Sequence, residues 1–145
     1  ISPAAPSIGP CGKARPSMAD RTLAEILLLA AERDQQAFDT LAQDPNLHDS
    51  LAGFHAQQAV EKALKAVLAH AAVRFRRTHD IAELLDLLED AGIGPPPHAA
   101  HLDELNPYAV EMRYGLVEPS GLDRSKTACW VRDVIQWSRA RLQSE

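Results

Sequence analysis

Apolar residues recur along this chain at intervals of three and four, and no stretch alternates with a period of two. That periodicity predicts helices and no sheet. The first helix is expected over roughly Asp20 to Gln43, with Leu23, Ile26, Leu27, Ala30, Ala37, Phe38 and Leu41 as its inward stripe. Asp44-Pro45-Asn46 stops it. The second runs from Leu47 or Ser50 to His70, with Ala56, Ala59, Val60, Ala63, Leu64, Val67 and Ala71 buried, and its alanines allow a neighbouring helix to approach closely. A basic loop, Arg74 to Thr78, leads to a third helix at His79-Asp80. Asp80 as N-cap with Glu83 three positions later resembles a capping box. Ile81, Leu84, Leu85 and Leu88 form that helix's apolar face, and Gly92, Gly94 and Pro95 to Pro97 end it. Ala99 to Leu105 reads as a short helix, and Pro107 opens another over Tyr108 to Arg113. The last helix spans about Leu122 to Leu142, with Val131, Val134, Ile135 and Leu142 inward. Short connections favour antiparallel neighbours, so the expected architecture is an all-α, up-and-down bundle of four to five helices.

Composition narrows the class. The chain has 145 residues, 46% of them hydrophobic, which suits one globular domain with one core. No apolar run approaches the roughly 18 residues needed to span a bilayer. Ile1 to Ser17 contains no apolar h-region and reads as a disordered leader or expression remnant, leaving 18–145 as the domain. The formal net charge is −5, and without Lys13 and Arg15 of the leader it becomes about −7 (−5 minus 2). A broad basic nucleic-acid surface is therefore not expected, although a local basic site remains compatible. Two cysteines, one of them Cys11 in the leader, make no disulfide framework, and Cys129 reads as a small core residue. A reducing, cytoplasmic setting fits.

Candidate chemistry concentrates between Phe54 and Leu85. Gln57, Gln58, Glu61, Lys62 and Lys65 lie on one side of the second helix. They are either a solvated face, with Glu61 and Lys65 as an ordinary i, i+4 pair, or the wall of a groove in which Lys62 meets a phosphate. Asp34 falls on the apolar stripe of the first helix, so its carboxylate needs a partner, and Lys62 and Arg113 are the candidates. The pair either fixes helix register or lines a pocket between helices. His79 either flanks a helix start or binds phosphate and shuttles a proton. Arg74, Arg76 and Arg77 are a solvated loop, a contact to RNA or nucleotide phosphates, or a match for the acidic face of a dimer partner. Tyr114 stacks on a base or packs inward. His98 and His101 lie three apart without further ligands by spacing, so they read as surface residues, and nothing calls for a metal or a cofactor. Trp130 and Trp137 anchor the core or a dimer face, or stack on a ligand.

Four pieces in order then resemble a known family. They are Ala30 to Asp34, the run Gln58-Ala59-Val60-Glu61-Lys62-Ala63-Leu64-Lys65-Ala66, the run Thr78 to Leu85, and Tyr108-Ala109-Val110-Glu111-Met112-Arg113-Tyr114. The set resembles the HEPN domain, a small all-helical family named for nucleotide binding, over essentially Asp20 to Glu145. The resemblance implies a helical bundle, often a homodimer, often encoded beside a minimal nucleotidyltransferase. Many members are RNases, and many such pairs behave as toxin and antitoxin. The family's RNase signature is Arg, four to six residues, then His. Arg113 takes the Arg place, but Glu118, Pro119 and Ser120 stand where the His belongs. A second spacing match, Arg74 to His79, lies between helices two and three, the wrong place for it. The expectation is a catalytically degenerate nucleotide- or RNA-binding module using Gln58, Lys62, His79, Arg113, Tyr114, Asp34, Arg74 and Arg77. The alternatives are a metal-independent endoribonuclease with Arg113 and His79 as catalytic residues, and a structural interaction module with the Trp130/Trp137 edge as its surface. All of this depends on Asp34, Lys62 and Arg113 sharing one crevice.

Overall fold

A computed structural model of the chain describes residues 15–109 and 121–144. Among these residues the elements are α1 (Met18–Leu41), α2 (Asp49–His70), α3 (Ile81–Asp90), a 3₁₀ helix (Leu102–Tyr108) and α4 (Arg124–Gln143), with no strand. The helical class expected from periodicity is observed. No helix among the described residues is long and apolar enough to cross a membrane.

Helix α1 opens on a reciprocal cap. The Ser17 hydroxyl accepts from the Asp20 N–H at 3.1 Å, and the Asp20 carboxylate accepts from the Ser17 N–H at 2.9 Å. Ser17, placed in the leader from sequence, is thus the N-cap of the first helix. The inward face of α1 also differs from the expected one. Ala24, Ala31, Asp34 and Phe38 are buried, whereas Leu23 and Ile26 are 41% and 59% exposed. The expected stripe followed i, i+3, i+4 spacing from Leu23, and of its members Phe38 is buried and Leu41 packs against the core. The helix instead turns its small residues toward alanine-rich α2, which lets two backbones approach and leaves the branched side chains of Leu23, Ile26 and Leu29 outside.

Helices α1, α2 and α4 form the core around Phe38, Leu64, Leu68, Val134 and Ile135. Asp49 meets Arg124, Ala63 accepts from Ser138 at 3.0 Å, and His70 lies near Ser144, so α2 and α4 run in the same direction. Helix α1 runs against both, as Asp20 near Arg74 and Glu32 near Arg139 show. Arg124 ties the connections together: its guanidinium donates to Asp49 and to the carbonyls of Ala42, Asp44 and Leu47.

After α2 the chain turns through Ala72, whose φ is +59°, and the N–H groups of Ala72 and Val73 close on the carbonyls of Ala69 and Leu68. This is a Schellman ending with alanine where glycine is usual. Residues 74–80 then run back along α2 as a strap. Asp80 caps α3 through the Ala82 N–H at 2.9 Å, as expected. The capping-box half does not form, because Arg76 grips Glu83 with three contacts of 2.6–3.0 Å. The Asp80 N–H goes to Thr78 Oγ1 at 3.1 Å instead, and Asn106 accepts from the Ile81 N–H. The short helix expected at Ala99–Leu105 is replaced by turns and one 3₁₀ helix that contains Pro107, while the one expected over Tyr108–Arg113 lies mostly outside the described residues. Tyr108 ends it, packed directly over Gly53 of α2.

Candidate functional site

The polar residues of α2 divide into two clusters, one facing α1 and one facing the strap. Residues 55 and 62 are seven apart and so lie nearly one above the other on α2. Asp34 reaches both from α1: its carboxylate accepts from Lys62 Nζ at 2.6 Å and from His55 Nδ1 at 2.9 Å. Asp34 is buried, while His55 and Lys62 are about a quarter exposed. The expected Asp34–Lys62 pair is therefore present. His55 was not singled out from sequence, although its spacing of seven from Lys62 was the signal that it shares the same carboxylate.

The second cluster is built on Glu61, which is buried. One carboxylate oxygen accepts from Gln57 Nε2 at 3.2 Å and from His79 Nδ1 at 2.9 Å, and the other accepts from Lys65 Nζ at 3.0 Å. Lys65 also donates to the Thr78 carbonyl at 2.7 Å and lies over the Phe75 ring. Gln57 donates to the His79 carbonyl at 3.0 Å. These bonds satisfy the strap's backbone and explain why it lies on α2. They also correct the solvated-face reading: Gln57, Glu61 and Lys65 are all buried, and the Glu61–Lys65 pair is an interior one. His79 projects outward from this network, 64% exposed at its side chain.

Gln58 lies between the clusters on the helix surface and donates to Gln57 at 2.7 Å. The resulting arrangement is an outward row with His55 and Lys62 on one flank and His79 on the other. In both histidines Nδ1 is engaged by a carboxylate, which fixes the ring and leaves Nε2 for another partner. Neither Nε2 has a partner among the described residues.

A family model for the HEPN domain matches residues 24–140, most of the chain and at least the greater part of every element just described. The chain belongs to the HEPN domain family. Comparison with curated proteins and with solved structures gives no match.

The HEPN domain distributes its other expected site residues differently. Arg74 reaches the start of α1 and pairs with Asp20 at 2.9 Å, while Arg76 is engaged by Glu83. Two members of the basic run are thus committed to carboxylates. Arg77 is exposed and makes no ion pair among the described residues. Arg113 and Tyr114 lie outside the described residues, as do Glu118, Pro119 and Ser120. His98 and His101 do not face a common ligand: His98 pairs with Asp133 at 2.8 Å and His101 with Glu104 at 3.0 Å. No group of three metal-ligating side chains occurs among the described residues. Trp130 is 6% exposed, stacked under His101 and touched by Lys126, which removes it from any outer edge. Trp137 packs at the core margin with Arg141 over its ring. Cys129, expected inside, is exposed.

Proposed function

We propose that this HEPN domain binds the phosphate-bearing end of a nucleotide or RNA along the outward row of α2, as a catalytically degenerate module. In this reading it works as a cytoplasmic homodimer beside a minimal nucleotidyltransferase, in a toxin–antitoxin-like pair. The observation that carries the reading is the fixing of three outward cationic or ionisable heads, Lys62, His55 and His79, by two buried carboxylates. Lys62 keeps donors beyond the one given to Asp34, since an ammonium carries three. Protonation of either imidazole turns its Nε2 into a donor for a phosphate oxygen. Gln58 sits between them with an amide for a sugar or base edge.

The test is thermal shift with mononucleotides and short RNAs. A ligand at a hundred times its Kd stabilises by about 2.7 kcal/mol through mass action. Lys62→Ala and His55→Ala should each remove most of that stabilisation. No shift with any nucleotide or RNA overturns the reading.

A second reading, metal-independent endoribonuclease, is favoured by the same two carboxylate-anchored imidazoles. One would take the 2′-hydroxyl proton as that oxygen attacks phosphorus. The other, protonated, would deliver a proton to the departing 5′-oxygen, giving a 2′,3′-cyclic phosphate and a 5′-hydroxyl. Arg113 would offset the charge building on phosphorus. Incubation of RNA in chelator with wild type, His79→Ala and Arg113→Ala separates the readings. Equal cleavage by all three sinks this one.

A further inference from the structure

The far end of α3 carries a feature that the α2 row does not use. A cavity of about 600 Å³ opens between the last turns of α3 and the loop that follows, walled by Leu85, Leu88, Ile93, Pro96 and Ala99. That volume lies in the range taken by ligand pockets. Its walls are stiff. Gly92, at φ +72°, closes α3 with a Schellman turn in which the N–H groups of Gly92 and Ile93 meet the carbonyls of Glu89 and Leu88. Pro95, Pro96 and Pro97 then restrict the loop backbone.

Two carboxylates, Asp86 and Glu89, border this apolar space. Both are exposed, and neither has a hydrogen-bond or ion-pair partner among the described residues. They are three apart on the helix and so neighbours on its surface. Asp90 follows, also exposed, and the last turn of α3 holds no basic residue. Carboxylates at a helix C-terminus face the negative end of its dipole and repel one another. The free fold gains nothing from this placement, whereas a cation brought against it relieves both repulsions.

We infer that this cavity docks a polypeptide segment that presents an apolar side chain followed closely by lysine or arginine. The apolar side chain enters between Leu88 and Pro96, and the cation bridges Asp86 and Glu89. The carboxylates stand at the exposed mouth rather than inside. A ligand that satisfies both features must extend out of the cavity onto the surface, which a peptide does.

The experiment uses the full chain and a short fluorescent peptide containing a phenylalanine followed by two arginines, read by anisotropy and by amide chemical-shift mapping. Saturable binding that moves resonances of residues 85–100 is expected. The double variant Asp86→Asn/Glu89→Gln should weaken it roughly tenfold or more. It should not lower the melting temperature, since it removes like charges from a helix end. Ala99→Trp, which fills the cavity, should abolish binding, and a peptide with glutamates in place of the arginines should not bind. Equal affinity of the double variant, shifts confined to other surfaces, or an alkylammonium ion binding as tightly as the peptide would each overturn the inference. So would absence of binding, or a double variant that melts markedly earlier. None of these outcomes bears on the α2 row, whose nucleotide response is measured separately.

Discussion

Gly53→Ala isolates one contact on which the position of the 3₁₀ helix depends. Residue 53 lies inside α2, where alanine is ordinarily better than glycine by about 1 kcal/mol. Propensity alone therefore predicts stabilisation. The structure predicts the reverse. A Cβ at residue 53 would stand 2.3 Å from Tyr108 Cδ1, 2.6 Å from Cγ and 2.7 Å from Cε1. Tyr108 is buried and cannot swing away without uncovering its ring. Overpacking of this kind costs about 1–3 kcal/mol, and a contact this short belongs at the upper end of that range. Subtracting the propensity gain leaves a net destabilisation of about 1–2 kcal/mol.

The sign becomes decisive in a second background. Tyr108→Ala removes every ring atom that the new Cβ would meet, so adding Gly53→Ala to it should stabilise by about 0.5–1 kcal/mol. Urea unfolding followed by far-UV circular dichroism supplies both numbers, provided the slope stays constant across the four proteins. Stabilisation by Gly53→Ala in the wild-type background refutes the reasoning, and so does an unchanged sign in both backgrounds. The contact matters beyond stability, because Tyr108 heads the segment that carries Arg113 in the sequence.

Three further outcomes are expected. Ala72→Gly should stabilise by about 0.5–1 kcal/mol, because it relieves an alanine at positive φ; a lower urea midpoint would contradict this. Glu61→Ala should cost about 3–5 kcal/mol by leaving Lys65 buried without its partner, and Lys62→Ala should cost clearly less because Asp34 keeps His55 and Lys62 is itself about a quarter exposed; equal losses would contradict the partition into interior and outward groups. Stability should also fall in acid through Asp20, Asp49 and Asp133, whose carboxyls are held below the ordinary aspartate range. The Ser17 N–H leads at Asp20, and the His98 ring leads at Asp133. At Asp49 burial pushes upward but is outweighed by the Leu122 N–H, the Arg124 guanidinium and the Gly121 N–H. A lowered carboxyl contributes fully above its unfolded value and loses that contribution as pH falls through its folded one. Melting temperature should thus hold steady from neutral to about pH 5 and drop below about pH 4, with Asp49→Asn flattening the drop.

The helices were legible because their signals are local. Asp44-Pro45-Asn46 ends α1 and Asp80 starts α3 where expected, since caps and breakers act within one turn. The facing of α1 was not legible. Size ranks Leu23 and Ile26 above Ala24 and Ala31, yet what decides the buried side is how closely α2 approaches, a property of two segments together. The same limit applies to the site. Asp34 with Lys62 followed from a carboxylate lying on an apolar stripe. The burial of Gln57, Glu61 and Lys65 did not follow, because it depends on the strap folding back over them, and no local pattern in residues 74–80 reports that path.

The cost of these interior polar groups bears on what they are for. A buried ion pair loses hydration that its attraction rarely recovers in full, and apolar replacements of similar size are often as stable or more so. A bundle already rich in alanine and leucine has no packing need for Glu61 with Lys65 and Gln57, or for Asp34 under Lys62. What each carboxylate supplies, and a leucine would not, is orientation of a group at the surface: Glu61 sets the His79 ring, and Asp34 sets both the His55 ring and the Lys62 ammonium. Two buried carboxylates reached from different elements, α2 itself and α1, fix heads along one outward row, two of them carried by α2 and one by the strap beside it. Register between α1 and α2 needs only the Asp34 pair, and docking of the strap needs only the Lys65 and Gln57 donors to its carbonyls, so the hold of Glu61 on the exposed His79 ring is the part of this arrangement that stability does not account for.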